Sequence, residues 1–147
     1  IHGLCSTYES GQRKLFATTN KGLFVSRNNG ETWQQILLDS PWQYTRTIVE
    51  RPDNKGVMFV TNGNGPPGNS GKLFRSSDHG ASWKVCDLPG TTNSTIWCVA
   101  SHSSNPNLIY VCSNFGQMWR SEDGGDTWIK LQREFGELRS LLVRPLQ

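Results

Sequence analysis

Few side chains capable of chemistry in this 147-residue chain stand in a pattern that would let them act together. The clearest pair is Arg46 and Arg139. Arg46 lies in Tyr44-Thr45-Arg46-Thr47-Ile48-Val49-Glu50-Arg51-Pro52, and the stretch from Glu137 through Arg139 to Pro145 repeats that segment. Two guanidinium groups in equivalent places, both facing a central channel, could hold an anion or a carboxylate; the alternative is paired or solvated charge. Trp42 and Tyr44 just upstream could form a stacking platform for a sugar or a peptide, or could pack between structural units. The four cysteines, Cys5, Cys86, Cys98 and Cys112, form no CxxC motif, so neither a zinc nor a redox signature is present. Three of them lie in apolar strand-like runs, where free thiols act as small buried hydrophobes, though the even count leaves pairing open. His2, His79 and His102 do not cluster in sequence. No catalytic residue, metal site or cofactor is therefore expected.

Composition narrows the classes. Lys and Arg total 15 against 12 Asp and Glu, a net charge of +3, and no block of five like charges occurs, so nucleic acid is not an expected partner. Hydrophobic residues are 35% of the chain and no apolar run approaches the roughly 20 residues of a membrane helix, so no membrane partner is expected either. The 15 Gly and 6 Trp point to many turns and large packing groups, an all-β signature. No secretory leader pattern is visible and the compartment stays open. The chain starts at Ile1 and not Met, so the coding sequence is expected to be incomplete.

The elements that must position these side chains are announced by an octapeptide repeated three times. It comprises Ser26, Asn28, Gly30, Thr32 and Trp33; then Ser76, Asp78, Gly80, Ser82 and Trp83; then Ser121, Asp123, Gly125, Thr127 and Trp128. The shared pattern is S-x-[DN]-x-G-x-[ST]-W, with the tryptophans 50 and 45 residues apart. These residue types make a tight hairpin. The Asp or Asn accepts backbone N–H groups, the Gly suits positive φ, the hydroxyl ties the arms together, and the Trp opens the next strand. Three β-rich runs precede each octapeptide and a fourth follows it, as in Trp83-Lys84-Val85-Cys86, with no helical periodicity. Four short strands every 45–50 residues is the repeat of a β-propeller blade.

The octapeptide resembles the Asp-box, or bacterial neuraminidase repeat, of Asp-box β-propellers, and the resemblance covers nearly the whole chain. Asn28 departs from the preferred Asp, which implies a weaker first turn. Within that group the sequence is most similar to repeat proteins related to photosystem II stability/assembly factors, on the segments 71–80 and 133–139.

The expected fold is all-β, with three blades of four antiparallel strands at about 1–38, 45–88 and 94–132 plus the inner strand of a fourth at 138–144. The 1–147 unit is then a single propeller arc. Propellers close with roughly 4–8 blades, so either the chain is part of a longer protein or copies complete the ring. A homodimer closing a six-bladed ring, exchanging strand 138–144, is one such solution.

The loops between blades and between second and third strands share one face, the ligand side by family resemblance. Besides Trp42, Tyr44, Arg46 and Arg139, the candidates there are Asn62, Asn64, Asn69, Phe115, Arg133 and Glu137. The loop 62–71, rich in Gly, Pro and Asn, is either functional or a tolerated insertion. Asp-box propellers include sialidases, which implies a test for an arginine cluster; Ile96 and His2 fill the places equivalent to Arg46 in the other two blades. Xyloglucan-cleaving relatives place paired carboxylates between two full propellers, a cleft this chain does not supply. The expected function is therefore a non-catalytic binding or assembly scaffold for a protein segment or glycan. A glycoside hydrolase-like propeller, or a structural fragment of a larger one, is the alternative.

Overall fold

The computed structural model describes residues 1–145. Twelve strands form three sheets, each taken in sequence order. The first blade is β1 (Gly3–Glu9), β2 (Gln12–Thr19), β3 (Gly22–Ser26) and β4 (Gln34–Ile36). The second is β5 (Tyr44–Glu50), β6 (Met58–Gly63), β7 (Gly71–Ser76) and β8 (Lys84–Val85). The third is β9 (Ile96–His102), β10 (Asn105–Ser113), β11 (Met118–Ser121) and β12 (Ile129–Lys130). All neighbours pair antiparallel. No helix occurs among the described residues, and so none that is long and apolar enough to cross a membrane. The chain is a partial β-propeller of three blades.

Why the strands stay short and uninterrupted by helices follows from their sequences. Each second strand carries a β-branched or aromatic run, and that of the middle blade, Phe59-Val60-Thr61, has both faces buried between its two neighbours. The core accordingly lies between sheets. One cluster joins the first and second blades through Phe16, Leu23, Ile48, Met58, Val60 and Phe74. Another joins the second and third through Phe59, Leu73, Ile96, Ile109, Val111 and Trp119. Hydroxyls stitch neighbouring blades together: Thr18 of β2 donates to the Arg46 carbonyl at 2.9 Å and Thr47 of β5 to the Trp97 carbonyl at 2.6 Å.

The strand expected at 138–144 is not formed as part of a ladder. Among the described residues no strand pairs with it. The segment instead lies along the outer face of the third blade. Leu138 donates its N–H to the Asn114 carbonyl at 2.8 Å, and Leu141, Leu142 and Val143 border a groove with Leu108, Tyr110 and Met118.

Candidate functional site: the inner-strand groove

The three octapeptides each hold a repeated set of ordered polar side chains. In each, the first Ser accepts the glycine N–H, at 2.8 Å for Gly30, 2.9 Å for Gly80 and 2.8 Å for Gly125. The Ser hydroxyl donates to the Asn or Asp, and that side chain accepts the N–H of Thr32, Ser82 or Thr127 at 2.9 Å. Asn28 keeps this set, and its amide donates to the Thr32 hydroxyl at 2.9 Å where Asp78 accepts from Ser82. These carboxylates are fully engaged. The Thr127 hydroxyl and N–H and the Ser121 hydroxyl hold Asp123 below its ordinary range. Partial burial opposes ionisation of Asp78, but the Ser82 hydroxyl and N–H and the Ser76 hydroxyl outweigh it and lower that carboxyl too. Nothing remains for acid–base work.

The second and third hairpins also grip the preceding blade. A Cβ on Gly80 would fall inside the Phe16 ring, and one on Gly125 inside the Phe59 ring. Trp83 and Trp128 meet the same two rings edge-on, with centroids 6.3 and 6.2 Å apart. One feature was not read from sequence: the residue before each octapeptide glycine, Asn29, His79 or Gly124, also has positive φ (58°, 53° and 76°). The alternation of Asn, His and Gly there is the signal that could have shown it.

On the opposite edge a groove of about 450 Å³ opens, lined by Arg46, Pro66, Pro67, Trp97, Phe115 and Arg139, with Asn114 and Glu137 completing it. Irregular pairing places its two central residues. In β5 the register slips between Thr45 and Ile48, and in β9 between Cys98 and Ile96, so Arg46 and Trp97 each stand at a bulge on an inner strand. Bulges re-aim side chains. The Arg46 guanidinium stacks over the Trp97 ring, 4.3 Å from its centroid. Among the described residues no carboxylate pairs with Arg46. Arg139, with its side chain 78% exposed, donates from Nε to Glu137 at 2.8 Å.

The loop 62–71 reaches this groove through Pro66 and Pro67 and is docked onto the third blade. Thr95 donates its N–H to the Pro67 carbonyl at 2.9 Å and its hydroxyl to the Gly65 carbonyl. Asn64 and Asn69 shape the loop from within: Asn64 accepts the Asn69 N–H at 2.9 Å and donates to the Asn69 side chain at 2.6 Å.

Of the residues singled out from sequence, the fold brings Arg46, Arg139, Glu137 and Phe115 into one groove. Asn62 lies elsewhere, fully buried, donating to the carbonyls of Trp42 and Tyr44 at 2.9 Å each. Tyr44 is buried against His2 between the first two blades, Trp42 is half-buried, and Arg133 covers the Phe135 ring outside the groove. Trp97 was missed, whereas Pro66 and Pro67 lie in the loop 62–71 already singled out and Asn114 sits beside the candidate Phe115. No group of three or more potential metal ligands occurs among the described residues.

The comparisons bear on the fold and the family. The profile of the Sortilin-Vps10 family (sortilin, neurotensin receptor 3) matches residues 21–140. Sortilin of Danio rerio is 30% identical over 112 residues, covering 74% of this chain and 13% of that protein. A xyloglucanase of Hypocrea jecorina is 26% identical over 134 residues, covering 79% of this chain and 16% of that enzyme. The chain thus spans less than a fifth of either relative. The solved structure of YCF48 bound to D1 peptide superposes with a TM-score of 0.64 at 18% identity, over 94% of this chain and 42% of the other.

Proposed function

The chain belongs to the Sortilin-Vps10 family of β-propellers, and on that premise we propose that it is a non-catalytic binding scaffold whose groove takes a carboxylate-bearing stretch of extended peptide. The single observation that carries this reading is Arg46, stacked on Trp97 with no carboxylate partner among the described residues. Stacking fixes the guanidinium plane while leaving its edge free for a bidentate carboxylate contact. Phe115, 46% exposed at the rim, adds apolar contact area for a neighbouring side chain. That YCF48 was solved with a peptide supports peptide as the ligand class. The glycosidase alternative lacks support at this site: among the described residues Glu137 is the one acidic residue lining the groove, and Arg139 already pairs with it. In this reading the octapeptides are Asp-boxes with a structural role.

The test is binding of short fluorescent peptides with free and with amidated C-termini. The free carboxylate should bind roughly tenfold or more tightly, as a charge-assisted pair of about 1.5–3 kcal/mol requires. Arg46→Gln should erase that difference with the circular dichroism unchanged. Equal binding of both peptides to the unaltered protein overturns the reading.

We further propose that the two end faces of the arc are covered in the working protein, by a second copy or by further blades of a longer chain. One observation favours a second copy. Arg75 pairs with Asp126 of the next octapeptide at 3.0 Å, and the equivalent places at the two ends are Arg120 and Glu31. Head-to-tail contact between copies would repeat the same ion pair.

A further inference from the structure

Cys98 and Cys112 are register partners on β9 and β10, directly opposite each other in the antiparallel ladder. Opposed residues in such a ladder have Cα atoms about 4.5–5.5 Å apart, within the span of a disulfide. The pairing slips immediately beyond them, where Ile96 meets Ser113, so the strands are already bent at this point. Both are free thiols. Their surroundings differ: Cys112 is fully buried, whereas Cys98 is half-buried and donates to the Arg139 carbonyl at 3.4 Å.

The two thiols are also unequal in acidity. A hydrogen bond from Cys112 holds the Cys98 thiol below its ordinary range, against the opposing effect of burial, and the Arg46 charge and the Leu141 backbone add to it. The same contact, with burial, pushes Cys112 up. Elsewhere burial raises Cys5 and pushes Cys86 up to about 12. Cys98 is thus both the more accessible and the more acidic thiol of the pair.

We propose that Cys98 and Cys112 form a thiol–disulfide exchange site that takes a small anionic disulfide of the glutathione class. Arg46, which lines the adjoining groove and has no carboxylate partner among the described residues, suits a carboxylate of such a molecule. The Cys98 thiolate attacks one sulfur of RS–SR. A Cys98–SR bond forms, the RS–SR bond breaks, and RS⁻ leaves and takes up the proton that Cys98 lost. Cys112 then gives its proton to solvent and attacks the Cys98 sulfur, and the second RS⁻ departs as RSH. Two protein thiols become one disulfide while one RS–SR is reduced to two RSH. The Cys98 S–H, and its contact with the Arg139 carbonyl, are lost in the process.

The experiment incubates the purified protein with glutathione disulfide at neutral pH, counts thiols and maps the cross-linked peptides by mass spectrometry. The unaltered protein is expected to lose two of its four thiols, retain no glutathione, and yield a peptide linking Cys98 to Cys112. Cys112→Ser should trap one glutathione on Cys98, and Cys98→Ser should leave Cys112 unmodified. If Cys112→Ser fails to fold, the thiol count and peptide map of the unaltered protein decide alone. No thiol loss, glutathione retained by the unaltered protein, or linkage through Cys5 or Cys86 overturns the proposal.

Discussion

At the scale of the residue, the octapeptide Asp side chains act as turn clamps, and their chemistry is readable from their partners. Asp78→Ala leaves the Ser82 and Ser76 groups without their acceptor and should cost roughly 1–2 kcal/mol in denaturant unfolding. It should leave peptide affinity unchanged, because Asp78 does not line the groove. Asp123→Asn should cost less than Asp123→Ala, because Asn28 already shows that an amide can serve the same turn. Both carboxyls are held below their ordinary range. A carboxyl depressed in the folded state contributes stability that is fully present above the unfolded value of about 4 and is lost as pH falls through the folded value. Stability should therefore decline from about pH 4 downward, and Asp123→Asn should flatten part of that decline in pH-dependent unfolding. The turns were legible in sequence because their chemistry is local. The groove was only half legible. Arg46 and Arg139 could be paired by repeat position, but Trp97 joins them through a register slip, and Asn62, a polar residue at a loop edge, turns inward onto two carbonyls.

At the scale of the element, the second and third hairpins are each both the link between a third and a fourth strand and a contact on the blade before it. The two roles separate experimentally. Gly125→Ala must strain a residue at φ 93° and drive a methyl group into the Phe59 ring, so it should cost roughly 2–4 kcal/mol. Gly30→Ala has the same φ of 93° but only distant neighbours, at 3.8 Å or more, so it should cost roughly 1–2 kcal/mol from backbone strain alone. Thermal unfolding of the two variants measures the difference; equal losses would remove the inter-blade role. Strand order was legible because blade repeats carry their own turns. The 138–144 segment was read as a strand because its sequence repeats 45–51, but a ladder needs partners as well as pattern, and among the described residues no strand pairs with it.

At the scale of the molecule, the arc has one unmatched half-contact at each end. Trp33 is 40% exposed beside Leu4, Cys5 and Leu15, where Trp83 and Trp128 are covered by their neighbours. Tyr110 holds the place of Phe16 and Phe59 in the last blade, with only the 141–144 segment over it. If a second copy covers these ends, sedimentation should report a species larger than a monomer. Glu31→Arg should dissociate it and Arg120→Glu, added to the same chain, should restore it. A monomer at all concentrations would leave further blades of a longer chain as the cover.

The glycine that sits on a phenylalanine has a further consequence for descent. The grip between blades is written wholly within one repeat unit, half of it in the second strand and half in the hairpin. Duplicating or deleting an internal unit leaves each half-contact between the remaining blades with a matching half beside it. Blade number can therefore drift in a lineage by gain or loss of whole units, without any new surface having to evolve first.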